Sequence, residues 1–278
     1  MKQRDTLDDE PTDRKHFYYR YLPASKTRKR KQDNINIPRN MLLKYLLSAF
    51  ILLIFVSDKV SSQHPMSEKV PSPIYSFPAN KNGPAKYVAL TFDDGPHNIL
   101  THDLLDALKK INAKVTFFVM GIKVIMHPDI VARAYKEGHE IANHVWNHPV
   151  LSKISWKDVD KQLADTSQAI FNATSITPKV MRPPYGNTNP KLNRHIANDQ
   201  KYPVIMWSLD TNDWRRPGSP EIVKRIMAKV EDGTVILCHD IHPGTIQAIP
   251  NAIEELRKKG FELKTVSEMI DIHYLSNK

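Results

Sequence analysis

Cysteine is almost absent from the 278-residue chain, because Cys238 is the single one, and no disulfide can form within it. A domain without cross-links must be held by a buried core, whatever its redox compartment. The length and the 41% hydrophobic content suffice for one large α/β domain. In a strand over residues 234–240, side chains alternate, so Cys238 points away from His239. We therefore predict that Cys238 packs against a helix and is not a nucleophile.

The sequence also lacks a basic stripe interleaved with aromatic residues, the pattern that binds nucleic acid. The formal net charge is +10, but residues 1–40 alone hold 11 Lys/Arg against 6 Asp/Glu, which is half of that excess. This basic tail has few large aliphatic residues and is predicted to be disordered. The charge distribution therefore argues against nucleic acid as a partner.

Long hydrophobic runs are scarce too, and residues 41–57 (MLLKYLLSAFILLIFVS) form the one that stands out. The run is close to the minimum of about 17 residues that cross a bilayer. It fits an uncleaved anchor or a signal peptide cut near Ser61, and we favour the anchor because the preceding segment is long for a signal peptide. The basic tail would stay in the cytoplasm, so both interpretations place the remainder outside the cell membrane.

The chain is therefore predicted to consist of a tail (1–40), a transmembrane or signal-anchor segment (41–57), a linker (58–84) and a folded domain (85–278). The linker is assigned from its content of Ser, Pro, Lys and Asn. In the folded domain, short β-branched runs alternate with amphipathic ones. Strands are predicted at 87–92, 115–119, 139–143, 179–182, 204–208, 234–238 and 261–264.

Helices are predicted between these strands, at 100–111, 130–137, 156–171 and 249–259. Two more helices are expected to begin where Asn189 and Ser219 each precede a proline, which is a capping residue followed by a first-turn residue. About seven β-α repeats predict a parallel β/α barrel or a doubly wound sheet. Both architectures place the chemistry at the carboxyl ends of the strands.

Polar clusters follow five of the predicted strands: TFDDGP (91–96), HVWNH (144–148), RPPYG (182–186), DTNDW (210–214) and LCHD (237–240). Adjacent carboxylates such as Asp93 and Asp94 repel each other and need a cation nearby to stay ionised. His144 and His148, four residues apart, can converge on one metal ion. Each cluster alone is weak, since Asp-Asp-Gly-Pro by itself is a turn signal. Their recurrence at strand ends predicts a metal site.

The ordered set of five clusters resembles the motifs of the polysaccharide deacetylases, the NodB-homology family of carbohydrate esterases, over residues 87–269. The resemblance implies a distorted (β/α)7 barrel. It also implies that the protein is a hydrolase that removes N-acetyl groups from amino sugars of a polysaccharide partner, peptidoglycan of the cell wall first and chitin-like oligomers second. The implied cofactor is a divalent metal, Zn²⁺ before Co²⁺, Ni²⁺ or Mn²⁺, held by Asp94, His144 and His148.

The resemblance assigns further roles to single residues. Asp93 would be the general base, kept ionised by Arg182. His239 would be the general acid, oriented by Asp213. The substrate and oxyanion residues would be Tyr185, through its backbone N–H, and Trp214 and Leu237, which would line a pocket for the acetyl methyl group.

The sequence departs from the family at Val145, where a Ser or Thr hydroxyl usually braces the loop between the two histidines. Loss of such a partner can lower metal affinity by about 10–100-fold. A catalytically weak or silent wall-binding protein is therefore one alternative. An esterase acting on O-acetyl groups is another, since the same oxyanion chemistry cleaves either bond.

Overall fold

A computed structural model describes residues 72–81 and 83–275. The predictions for the basic tail and for the apolar segment 41–57 lie outside these residues. Within the described part of the chain, no helix is long and apolar enough to cross a membrane.

A six-stranded sheet forms the centre of the domain, and every pairing between its strands is parallel. Its strands are β1 (Lys86–Asp93), β2 (Thr116–Val119), β3 (Glu140–Asn143), β4 (Leu209–Asp210), β5 (Val235–His239) and β6 (Phe261–Leu263). They lie in the order β3-β2-β1-β5-β4, and β6 pairs with the first residues of β1. The prediction of an α/β fold with a parallel sheet is confirmed.

Two predicted strands, 179–182 and 204–208, are reduced to isolated bridges. Met181 bridges Asn143 on one side and Val204 on the other, both in parallel. Prolines at 178, 183, 184 and 203 flank these positions, and proline cannot donate a hydrogen bond to a ladder. The bridges continue the sheet beyond β3, while the seven-unit barrel stays a prediction.

Helices connect the strands: α1 (Leu100–Lys110), α2 (Gly121–Met126), α3 (Pro128–Lys136), α4 (Trp156–Thr174), α5 (Pro190–Arg194), α6 (Ser219–Lys229), α7 (Pro243–Lys258) and α8 (Val266–Ile270). Asn189 caps α5 as predicted, accepting from the N–H groups of Lys191 and Leu192. The cap predicted at Ser219 is wrong, because Ser219 is the first residue of α6 and Gly218 precedes it without a side-chain cap.

Helix α7 begins at Pro243, six residues before the predicted start, and contains Pro250 in its interior. Proline suits the first helical turn, where its missing N–H would have no partner. The internal Pro250 removes one backbone hydrogen bond.

The core lies on both faces of the sheet, as the alternation along β1 shows. Val88, Leu90 and Phe92 pack into the cluster formed with the helices, which also contains the buried Cys238. Ala89 faces the opposite cluster. The prediction that Cys238 is a packing residue is therefore confirmed.

Part of the predicted linker belongs to the folded domain. Ile74 and Phe77 are buried in the same cluster as Ala89. The backbone of Ile74 donates to the Val204 carbonyl at 2.8 Å and accepts from the Met206 N–H at 2.7 Å. The domain therefore begins at or before Ser72, not near residue 85, because two apolar side chains and backbone bonds outweigh the polar composition around them.

Candidate metal centre and acid-base site

The polar clusters meet at the carboxyl ends of the central strands, as the architecture predicts. Strand β1 ends at Asp93 and β5 ends at His239, and these two residues are register partners. The last residue of β3, Asn143, precedes His144. The predicted base and acid therefore lie on adjacent strand ends, and the first metal-ligating histidine follows β3, which β2 separates from β1.

Asp93 is paired with Arg182, whose Nη1 donates to Asp93 Oδ1 at 2.7 Å. Arg182 is completely buried. Its guanidinium also donates to the Thr91 hydroxyl at 2.8 Å and to two main-chain carbonyls, and it stacks on the Phe118 ring at 4.1 Å. These contacts hold the guanidinium in a single position. Its positive charge therefore lies at a fixed place beside the Asp93 carboxylate.

Asp94, His144 and His148 form a compact cluster, each offering one ligand atom within 4.8 Å of the others. Asp94 Oδ1 lies 3.4 Å from His144 Nε2 and 3.2 Å from His148 Nε2. His144 Nδ1 lies 2.7 Å from the Arg182 carbonyl, which can only accept, so a neutral His144 carries its proton on Nδ1. Its Nε2 then presents a lone pair to the cluster.

This donor set fits a divalent metal. Asp94 Oδ1 is buried and receives no hydrogen bond of normal geometry. An unprotonated imidazole nitrogen that faces a carboxylate oxygen is repelled unless a cation lies between them. Burial alone would raise the pKa of Asp94, but positive charge beside it, such as that of protonated His144 and His148, outweighs burial and holds that pKa well below its usual range. The carboxylate is therefore ionised, as a metal ligand requires.

The loops that carry these residues are held in left-handed backbone conformations. Asp94, Val145, His148 and Tyr185 have φ of 72°, 58°, 63° and 60°. A left-handed residue other than glycine costs on the order of 1–3 kcal/mol and persists only where its surroundings hold it. For the β-branched Val145 the conformation is unusual. The residue types do not indicate this strain, because none of the four residues is a glycine.

The histidine loop is braced from α4, not by a side chain at position 145. The Val145 N–H donates to the side chain of Asn143 at 2.8 Å. Gln162 of α4 accepts from the N–H groups of Trp146 at 2.8 Å and Asn147 at 3.2 Å. It also donates to the Asn147 side chain at 2.7 Å. These four hydrogen bonds hold the loop without a hydroxyl at position 145.

His239 is bound to Asp213 as predicted, with 2.8 Å between His239 Nδ1 and Asp213 Oδ1. Burial would lower the pKa of His239, but the hydrogen bond and charge of Asp213 outweigh burial and raise it to about 9. Burial would also raise the pKa of Asp213, and its bonds to His239 lower it instead. At neutral pH the pair is an imidazolium on a carboxylate.

The three remaining predicted site residues lie around this centre. Tyr185 is 66% exposed, and its ring centroid lies 4.4 Å from that of His148. Trp214 is half exposed and stacks with Arg215 at 4.5 Å. Leu237 is buried on β5, two residues before His239 and thus on the same face. Their roles toward a substrate stay predictions.

Residues 80–205 match the family model of the polysaccharide deacetylases. The peptidoglycan-N-acetylglucosamine deacetylase PgdA of Listeria monocytogenes is 38% identical over 215 residues, which are 77% of this chain and 44% of that protein. The solved structure of peptidoglycan deacetylase PdaC of Bacillus subtilis is 39% identical, with a TM-score of 0.64 over 68% of this chain and 91% of that one. The chain belongs to the polysaccharide deacetylase family.

Two further findings limit what can be inferred about activity from membership of this family. The chain spans about half the length of the first curated relatives it matches, 44% of PgdA and 50% of the full-length peptidoglycan-N-acetylmuramic acid deacetylase PdaC. The solved structure of BA3943 from Bacillus anthracis, described as a family pseudoenzyme, has a TM-score of 0.68 and 30% identity over 73% of this chain and 70% of that one. The fold of this deacetylase family therefore does not by itself ensure turnover, and the site residues must carry the argument.

Proposed function

We propose that the protein hydrolyses N-acetyl groups of amino sugars in a cell-wall polysaccharide, with peptidoglycan as the first substrate. The names of its relatives support this substrate class, since they cover N-acetylglucosamine and N-acetylmuramic acid of peptidoglycan and also chitooligosaccharides. The proposal concerns the domain that the chain shares with them.

The main support for this proposal is that a proton acceptor, Asp93, lies opposite a proton donor, His239. Asp93 is paired with Arg182 at 2.7 Å, and His239 is kept protonated by Asp213 at 2.8 Å. The two occupy register-paired strand ends. Hydrolysis of an amide needs one group to take a proton from water and another to give a proton to the leaving amine. A protein that only binds glycans has no use for this pairing.

We propose further that Asp94, His144 and His148 hold a divalent metal, Zn²⁺ before Co²⁺, Ni²⁺ or Mn²⁺. Two histidines and one carboxylate with open positions are a usual donor set for a catalytic zinc ion. Such an ion supplies a water of lowered pKa and polarises the carbonyl that is attacked.

Residues of the chain carry out the proton transfers, bind the oxyanion and line the acetyl pocket. Asp93 takes the proton of the attacking water, and Arg182 limits where its carboxylate can lie. The Tyr185 backbone N–H, presented by its left-handed conformation, donates to the developing oxyanion. His239 gives its proton to the departing sugar amine, while Trp214 and Leu237 bound the space for the acetyl methyl group.

The test uses the full chain with peptidoglycan, chitin oligomers and O-acetylated xylan as separate substrates, and mass spectrometry for the loss of acetyl. We expect release from the first two that stops with EDTA and returns with Zn²⁺. Asp93→Asn should lower turnover by about 10²–10⁴-fold, the usual contribution of a general base. The variant should still bind metal, and undiminished turnover would disprove the role of Asp93.

The alternative of a silent wall-binding protein has support from one solved relative, the pseudoenzyme BA3943. Equal glycan binding with and without EDTA, and no acetate from any of the three substrates, would favour it. Release from acetylated xylan alone would favour the esterase instead.

We also propose that residues 41–57 anchor the protein with its catalytic domain outside the cell. The Lys/Arg excess before this segment and its apolar composition support the orientation. Protease added to intact cells should remove the domain if it faces outward. Full protection would contradict the orientation.

A further inference from the structure

Asp240 is a buried carboxyl group for which neither the proposed reaction nor the resemblance provides a role. It follows His239 at the end of β5 and is 1% exposed. Its Oδ2 accepts a hydrogen bond from the Thr101 hydroxyl at 2.5 Å. Within the described residues its Oδ1 has no partner. A half-satisfied buried carboxyl is costly, so its retention calls for a reason.

The reason lies in the loop after β1, where Gly95 passes directly over Asp240. A Cβ on Gly95 would lie 2.3 and 2.4 Å from the two carboxyl oxygens of Asp240. Gly95 is not among the left-handed glycines. Glycine is therefore required at position 95 because a side chain would overlap the Asp240 carboxyl group, and not because of the backbone conformation.

The same loop carries Asp94 in its strained conformation, and two contacts hold it from the side of β2, which flanks β1 opposite to β5. Lys123 Nζ donates to the Asp94 carbonyl at 2.7 Å, and the Met120 N–H donates to the Gly95 carbonyl at 3.0 Å. Both donors lie at or next to α2. Asp240 closes the loop from β5, so the left-handed turn at Asp94 is held from both sides.

Thr101 extends this contact to the end of the loop. Its hydroxyl donates to Asp240 and accepts from the His97 N–H at 2.8 Å. A Thr hydroxyl has one donor and can accept as well, so both bonds form together. Asp240, Thr101 and His97 thus tie the loop to both β5 and α1.

We infer that Asp240 is a positioning residue: through Gly95 and Thr101 it fixes the loop after β1 so that the Asp94 carboxylate stays beside His144 and His148. The inference rests on the proposed metal site. The adjacent residues His239 and Asp240 then serve different parts of the centre, since His239 is the proposed proton donor and Asp240 supports a metal ligand.

The test measures metal binding by the full chain after chelator treatment, by titration with Co²⁺, whose visible spectrum reports ligand geometry. Asp240→Ala should weaken the Co²⁺ Kd by about 10–100-fold, the usual effect of losing a partner behind a ligand. It should also change the spectrum. Thr101→Val should weaken binding in the same direction, while Thr174→Val, which removes a hydroxyl bonded within α4, should not.

A double variant separates this contact from general destabilisation. Gly95→Ala alone should weaken Co²⁺ binding, because its Cβ overlaps the Asp240 carboxyl. In Gly95→Ala with Asp240→Ala the Cβ has room, so the double variant should bind no worse than the weaker single variant. Additive losses would overturn the inference.

The outcomes also separate the inference from the proposed function. Wild-type protein that binds no Co²⁺ would overturn the metal site itself. Wild-type binding together with an unchanged Kd and spectrum in Asp240→Ala would overturn the positioning role alone. If Asp240→Ala does not fold, an unchanged Kd in Thr101→Val overturns it.

Discussion

Asp213 accepts two hydrogen bonds from His239, one from the ring Nδ1 at 2.8 Å and one from the backbone N–H at 2.7 Å. The hydroxyl of Thr245 adds a third at 2.7 Å. His239 therefore fixes the position of Asp213, and Asp213 in turn orients the His239 ring. The imidazole cannot turn away without breaking contact with the charge that keeps it protonated.

The activity should fall as pH rises through about 9, because the pKa of His239 is raised to about 9 and its proton is lost above that pH. In Asp213→Asn the opposing charge is gone and burial lowers the pKa, so this alkaline limb should move to lower pH. The pH profile of kcat/KM measures both effects. Asp160→Asn, which removes a partner of His195, is the control and should leave the limb in place.

Arg182→Met should destabilise the protein by about 3–5 kcal/mol, because it leaves the buried Asp93 without its counter-charge. Urea unfolding measures the loss. Lys161→Met removes an exposed pair with Asp165 in α4 and should cost less than about 1 kcal/mol. A comparably small loss for Arg182→Met would mean that the buried pair with Asp93 contributes little to the stability of the fold.

Much of the site could be predicted from the sequence because its chemistry resides in residue types at strand ends. Asp94, His144 and His148 meet as predicted, and so do Asp93 with Arg182 and His239 with Asp213. Parallel strands bring their carboxyl ends to one edge, so the strand pattern predicts that these clusters meet, whereas the individual pairings are implied by the resemblance to the polysaccharide deacetylases.

The supporting residues could not be predicted in this way. Gln162 lies 15 positions from the loop that it braces, and only the packing of α4 brings it there. Asp240 supports Gly95 across the sheet, a contact that no local pattern encodes. The left-handed φ of Val145 runs against the preference of a β-branched residue, so local propensity points the wrong way.

Gln162→Ala should weaken metal binding by about 10–100-fold, because it frees the N–H groups of Trp146 and Asn147 and loosens the loop between the ligands His144 and His148. Calorimetric titration with Zn²⁺ measures the change. Gln168→Ala, on the same helix, removes only a bond to Asn172 and is the matched control. Equal affinities for the two variants would show that the loop keeps its shape without Gln162.

Ile74→Ala should destabilise the domain by about 2–5 kcal/mol, the usual cost of emptying a buried aliphatic site. Ile74 is 2% exposed, and its backbone hydrogen bonds tie it to Val204 and Met206. Tyr75→Ala changes a neighbour that is 50% exposed and should alter stability by no more than about 0.5 kcal/mol. Urea unfolding of the two variants against wild type gives the comparison.

A chain that begins at residue 85 extends this test, because it also removes the buried Phe77, whose N–H donates to the Gly233 carbonyl at 2.8 Å. We expect it to lose more stability than Ile74→Ala, since two apolar side chains and several backbone bonds go together. Gly233→Ala should act in the same direction, because its Cβ would lie 2.0 Å from the Phe77 carbonyl oxygen. A shortened chain as stable as the full one would mean that residues 72–81 are a linker, as their composition suggests, and that their packing contributes nothing to the fold.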